Sequence, residues 1–157
     1  MEIKMSDRFI RSRALFGDEA FEKLKNSRVA VFGLGGVGGY ALEALARSGI
    51  GALDVIDPDD IDESNINRQL LALSSSVGQK KTQTAVKKIN PELIVSAHEL
   101  FYSPESADAI DLKQFDAVAD AIDFFPGKLE LALRSRDAGV KLVSCMGTGK
   151  KTAPSLI

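Results

Sequence analysis

A single cysteine, Cys145, and a single histidine, His98, are all that the chain offers of the residues that staple or metallate small domains. One cysteine excludes an intrachain disulfide, and together with one histidine it leaves no Cys/His set for zinc. An excess of one charge is also missing, since 20 Lys and Arg face 22 Asp and Glu for a net charge of −2. That balance carries no signature of a nucleic-acid binder, although basic residues can still cluster locally. No apolar run is long enough to cross a bilayer, and the start, MEIKMSDRFIRSRALFGDEAF, lacks the apolar stretch of a secretory signal. A cytoplasmic location is therefore the expectation. Repeats, low-complexity runs and linkers are absent too, so the 157 residues are expected to form one domain with a real core.

Apolar runs alternate with segments of helical period, the pattern of a parallel sheet covered by helices. Strands are predicted at 28–32, 52–56, 93–100, 117–121 and 141–145. Helices are predicted at 18–24, with Asp18 as a cap, and at 37–48, 79–89, 104–110 and 125–138. The expected fold class is α/β: Rossmann-like, with a mainly parallel sheet and helices on both faces. The chain stops soon after a Gly-rich loop, SCMGTGKKTAPSLI, which suggests a C-terminally short domain.

Within VAVFGLGGVGG, Gly33, Gly35 and Gly38 have G-x-G-x-x-G spacing between a predicted strand and helix. Gly33 would allow a tight turn, Gly35 the approach of a phosphate, and Gly38 close packing of helix on strand. The helix N-terminus behind them would face an anion with free N–H groups. Asp57 ends the next strand, where a carboxylate can accept hydrogen bonds from ribose hydroxyls. A nucleotide site follows, without saying which nucleotide.

The tail DPDDIDESNINRQ has no evident use in hydride transfer. It brings Arg68, and after SSSVGQ Lys81, toward the carboxyl ends of the strands, where open α/β sheets bind ligands. Two cations and a helix N-terminus suit a triphosphate better than a dinucleotide. Asp123, in DAIDFF, follows a later strand and could hold Mg²⁺ against phosphates. Read from spacing alone, Arg68, Lys81 and Asp123 are equally well solvated loop charges.

These blocks, with VGQKK and INPE, resemble in order the adenylation domain shared by ubiquitin-activating enzymes and the ThiF/MoeB/HesA proteins. RFIRSRALFG, EALARSGIG and SCMGTGKK look most like the bacterial tRNA threonylcarbamoyladenosine dehydratases. The resemblance implies an ATP site. Gly33, Gly35, Gly36 and Gly38 would line the α-phosphate and adenosine, and Asp57 would bind ribose. Asn65 would orient its segment, Arg68 and Lys81 would neutralise phosphates, and Asp123 would coordinate Mg²⁺. It also implies a homodimer in which Arg11 reaches the neighbouring ATP site. The implied reaction is ATP-dependent cyclising dehydration of threonylcarbamoyladenosine in tRNA through an acyl-adenylate.

Two other functions stay open: activation of the C-terminus of a ubiquitin-like sulfur carrier, with a sulfur-transfer partner, and a non-catalytic nucleotide-binding fragment. Ala153 stands where dehydratase-like chains tend to carry an acidic residue, which bears on tRNA selection. Arg8, Arg11, Arg13, Lys80, Lys81, Lys150 and Lys151 could form a patch for the tRNA backbone, or be ordinary surface charges and ATP contacts. Cys145 reads as a small core residue rather than a nucleophile. His98 reads as structural rather than as a base.

Overall fold

In a computed structural model of the chain, residues 8–84, 90 and 92–146 are described. Two short helices lead in, α1 (Ile10–Phe16) and α2 (Asp18–Lys25). They are followed by β1 (Arg28–Phe32), α3 (Gly38–Ser48), β2 (Ala52–Ile56), β3 (Ile94–His98), β4 (Ala117–Asp120), α4 (Phe125–Ala138) and β5 (Lys141–Ser144). All strand pairs are parallel, in the order β3-β2-β1-β4-β5. The chain builds outward from β1 on one side and then crosses to the other, so the loops after β1 and β4 diverge from a switch point. In open sheets of this kind, that crevice is where ligands bind.

Alternation along β1 decides which core each side chain enters. Val29 and Val31 face α3, where they pack with Leu42, Ala46, Ile50, Leu53 and Val55. Ala30 and Phe32 face the opposite core with Ile56, Tyr102, Phe115, Val118 and Leu131 of α4. Both faces of the sheet are thus covered, as the sequence predicts. Left-handed glycines end both main helices, Gly49 at φ 102° after α3 and Gly139 at φ 70° after α4.

The expected strands and the helices at 37–48 and 125–138 are present within a few residues of their predicted ends. Asp18 is not a cap. Gly17 takes that position without a side-chain bond, and Asp18 is the first helical residue, paired with Arg13 at 3.2 Å. The predicted helix at 104–110 is only a 3₁₀ turn, Ala107–Ala109. Hydroxyls compete for its backbone, since the Ser106 hydroxyl accepts from the Ser103 N–H and donates to the Phe101 carbonyl. The predicted helix at 79–89 begins instead as an antiparallel bridge, Asp60 to Lys80, and a 3₁₀ turn, Lys81–Gln83. Residues 85–89 of that prediction lie outside the described residues.

Candidate functional site

The glycine turn after β1 is shaped by its neighbour across the switch point. Gly33 has φ 85°, and its N–H donates to the Ile56 carbonyl at 2.8 Å. A Cβ at Gly33 would lie 2.7 Å from the Ala121 carbonyl oxygen, beyond β4. One at Gly38 would run into the Gly33 carbonyl oxygen. Gly38, the first residue of α3, is therefore required by the close approach of the helix to the turn after β1, and a Cβ there would also crowd the Ala121 side chain beyond β4 at 3.3 Å. At Gly35 a Cβ would meet nothing within 4 Å, and at Gly36 only ordinary contacts with Arg68. Packing does not demand these two glycines. Their bare backbone leaves room over the cleft.

Asp57 closes β2, almost fully buried, and fastens the turn to the tail. Its Oδ2 accepts the Leu34 N–H at 2.6 Å, and its Oδ1 accepts the Asp59 N–H at 2.9 Å. Ribose hydroxyls would have to use the remaining lone pairs. Further along, Asp62 and Asn65 form a reciprocal capping box around the 3₁₀ turn Glu63–Asn65. Hydrogen bonding from Ser64 holds the Asp62 carboxyl below the usual carboxylate range. Arg68 follows, exposed, with Nη1 donating to the Ser64 carbonyl and to Asn67 Oδ1.

Lys81 is 4% exposed, and its charge is already answered. Nζ lies 2.8 Å from Asp59 Oδ2 and 3.6 Å from Asp57 Oδ1. Asp59 is exposed, so a phosphate could take its place beside the ammonium at modest cost. Gln69, 8% exposed on the wall of the cleft, has an Oε1 that no described residue bonds.

Gly33, Gly35, Gly36, Asp57, Asn65, Arg68, Lys81 and Asp123 all line one cleft of about 1050 Å³ at the carboxyl ends of the strands. Asp123 is exposed there, between β4 and α4. The cleft has an apolar part as well, with Phe32, Ile56, Leu100, Phe101 and Ile122. Leu100 and Phe101 come from the loop after β3, which carries no sequence signal beyond being apolar. Gly38 and Arg11 do not line the cleft, and Arg11 is exposed on α1, a helix with no buried residue.

Two residues set aside as structural separate here. His98 Nε2 lies 2.8 Å from Asp54 Oδ1, and the same buried carboxylate accepts from Arg28 Nε and Nη2. It serves the sheet, as expected. Cys145 is not a core residue: it follows β5, the outermost strand among the described residues, and its thiol is exposed on the cleft wall. Among the described residues, Arg13, Lys80 and Lys81 of the basic cluster are each paired with acidic side chains. Lys80 pairs with Asp60 at 2.7 Å, which raises its pKa, while Lys81 pairs with Asp59 and Arg13 with Asp18 and Glu22. Lys150, Lys151 and Ala153 lie outside the described residues.

Among the described residues no helix is long and apolar enough to cross a membrane, and no three acidic, His or Cys side chains form a metal cage. A lone exposed carboxylate such as Asp123 still fits Mg²⁺, which keeps most of its waters and takes its other ligands from substrate phosphates.

The chain is 43% identical over 154 residues to the tRNA threonylcarbamoyladenosine dehydratase of Bacillus subtilis, covering 96% of this chain and 61% of that protein. It is 41% identical over 113 residues to a probable adenylyltransferase/sulfurtransferase MoeZ of Mycobacterium tuberculosis, covering 69% of this chain and 28% of that one. The crystal structure of the Escherichia coli tRNA N6-threonylcarbamoyladenosine dehydratase in complex with ATP superposes with a TM-score of 0.88 at 36% identity, over 94% of this chain and 62% of that one. The chain thus spans about three-fifths of the length of these dehydratases. The match to the ThiF family runs over residues 8–157, and the chain belongs to that family.

Proposed function

We propose that this chain binds Mg·ATP in the cleft and adenylates the carboxylate of threonylcarbamoyladenosine in tRNA, so that the side chain cyclises with net loss of water. The observation that carries the adenylation reading is the convergence of Gly35, Gly36, Arg68, Lys81 and Asp123, from three separate loops, on one cleft. The choice of carboxylate rests on the likeness to the dehydratases.

In this reading the substrate carboxylate attacks the α-phosphorus of ATP, and the bond to the bridging oxygen of pyrophosphate breaks. Charge grows on the phosphoryl oxygens, where fixed cations and backbone N–H groups lower the barrier. Arg68 supplies an exposed guanidinium. Lys81 supplies an ammonium once a phosphate displaces Asp59. Mg²⁺, bound through Asp123 and the phosphates, would add positive charge at the same oxygens. An atom of the substrate's own carbamoyl group then attacks the acyl carbon and loses its proton, and AMP leaves with one former carboxylate oxygen. No enzyme nucleophile is needed, so Cys145 has no covalent task. The apolar residues Ile56, Leu100, Phe101 and Ile122 suit the adenine of ATP.

Residues 1–157 act in this reading as one nucleotide-binding unit, in the cytoplasm, where ATP and tRNA meet. The exposed apolar residues of α1, Ile10, Leu15 and Phe16, support a homodimer that carries Arg11 to the neighbouring cleft. The MoeZ likeness favours a second reading, activation of a sulfur-carrier C-terminus at the same cleft. Incubation with Mg·ATP and tRNA carrying threonylcarbamoyladenosine, followed by nucleoside mass spectrometry, separates the two. The proposal expects the modified nucleoside to lose one water only when ATP is present. An intact nucleoside, with AMP formed only when a carrier protein is added, selects the second reading.

A further inference from the structure

Lys128 lies on the inner face of α4, nine-tenths buried, and the reaction above gives it no task. We propose that Lys128 is a positioning residue: with Asp120, it fixes the peptide that presents Asp123 to the metal. This inference rests on the reading of Asp123 as the Mg²⁺ ligand.

The ammonium has three donors and meets three acceptors. Nζ lies 2.9 Å from Asp120 Oδ2 and donates to the carbonyls of Ile122 at 3.0 Å and Cys145 at 2.8 Å. The Ile122 carbonyl belongs to the peptide that joins Ile122 to Asp123. The Ile122 N–H is held from the other side, donating to Asp120 Oδ1 at 3.1 Å. Lys128 and Asp120 therefore grip both peptides of Ile122, the residue directly before the exposed carboxylate. The Ser144 hydroxyl also donates to Asp120 Oδ2, and the Cys145 N–H donates to the Asp120 carbonyl at 2.8 Å. One buried ion pair thus ties the end of β4, the end of β5 and the first turn of α4 together beneath the cleft.

The placement matters because of where the ladders stop. β4 ends at Asp120 and α4 begins at Phe125, so Asp123 sits on a stretch with no strand or helix of its own. Across the switch point the same stretch abuts Gly33, with the Ala121 N–H donating to the Phe32 carbonyl at 2.8 Å. A buried ion pair adds little net stability over apolar packing of the same volume. This one provides directed bonds that end on the backbone of a ligand loop. Mg²⁺ tolerates little departure from octahedral geometry, so a carboxylate that must meet it gains from being held in place before it arrives.

The test measures ATP binding by calorimetry across a Mg²⁺ titration, with thermal melting in parallel, on the full chain. Lys128→Met leaves Asp120 buried without its partner and is liable to misfold. The paired change Lys128→Met with Asp120→Asn removes both charges and keeps a folded reference. Asp123→Ala reports the metal reading by itself. The proposal expects the paired variant to stay folded and to need about tenfold more Mg²⁺ for half-maximal ATP binding, the scale of losing a residue that orients a ligand. Lys128→Arg, which keeps the charge, should recover most of that shift. A folded paired variant with unaltered Mg²⁺ demand, beside a shifted Asp123→Ala, overturns the role of Lys128. An unshifted Asp123→Ala overturns the metal reading instead.

Discussion

The Arg68 guanidinium is held by bonds within its own segment, to the Ser64 carbonyl and the Asn67 side chain, and remains exposed on the cleft wall. It contributes little to the core, so Arg68→Ala should move stability by no more than about 0.5 kcal/mol. A charge-assisted bond to phosphate is worth about 1.5–3 kcal/mol, so turnover should fall roughly ten- to hundredfold. Steady-state assay beside thermal melting checks both, and unchanged ATP-dependent turnover would remove Arg68 from the site. The cations near the tail were legible as residues but not as environments. Nothing in NINRQ or GQKK tells that Arg68 is exposed whereas Lys81 is buried against Asp59. Gln69, Asp120 and Lys128 carry no motif that would single them out. Their importance lies in which backbone groups they do or do not meet, and that is decided by the tertiary fold.

At the scale of elements, the glycine turn separates folding from binding. Gly38→Ala would drive a methyl group into the Gly33 carbonyl, and overpacking of that kind costs about 1–3 kcal/mol. Gly35→Ala meets nothing and should melt within about 0.5 kcal/mol of the parent, yet weaken ATP because its methyl group takes up room over the cleft. Denaturant unfolding and ATP calorimetry on the two variants check this. A Gly35→Ala chain that binds ATP normally would deny that the turn cradles phosphate. Elements that bury an apolar stripe were readable, as β1, β2 and α3 were, and α4, which buries Lys128 and Ser135 beside Leu131, was readable from the proline at its start and the glycine at its end. No element is predicted over 10–16, where α1 forms with no buried side chain. The segment 104–110 has a helical pattern in sequence, but its serines bond the backbone locally.

For the whole molecule, the sheet order places the loops after β1 and β4 side by side and completes the cleft with the tail after β2. Of the residues assigned to ATP contact, Gly38 and Arg11 stay outside the cleft of their own chain, and Gly38 is buried under the glycine turn whereas Arg11 is exposed. If it acts across a dimer, Arg11→Ala and Arg68→Ala chains, each impaired alone, should complement when mixed. A mixed dimer then holds one intact site, and random pairing gives about a quarter of parental activity. No recovery on mixing and refolding would place Arg11 outside the reaction or confine it to its own subunit.

The central claim is that a carboxylate attacks the α-phosphate of ATP in this cleft. It is tested most directly by labelling both carboxylate oxygens of the tRNA substrate with the heavy oxygen isotope and weighing the AMP released. The account predicts AMP carrying one labelled oxygen, with the cyclic nucleoside retaining the other. Unlabelled AMP, or label found in pyrophosphate or water, would contradict it.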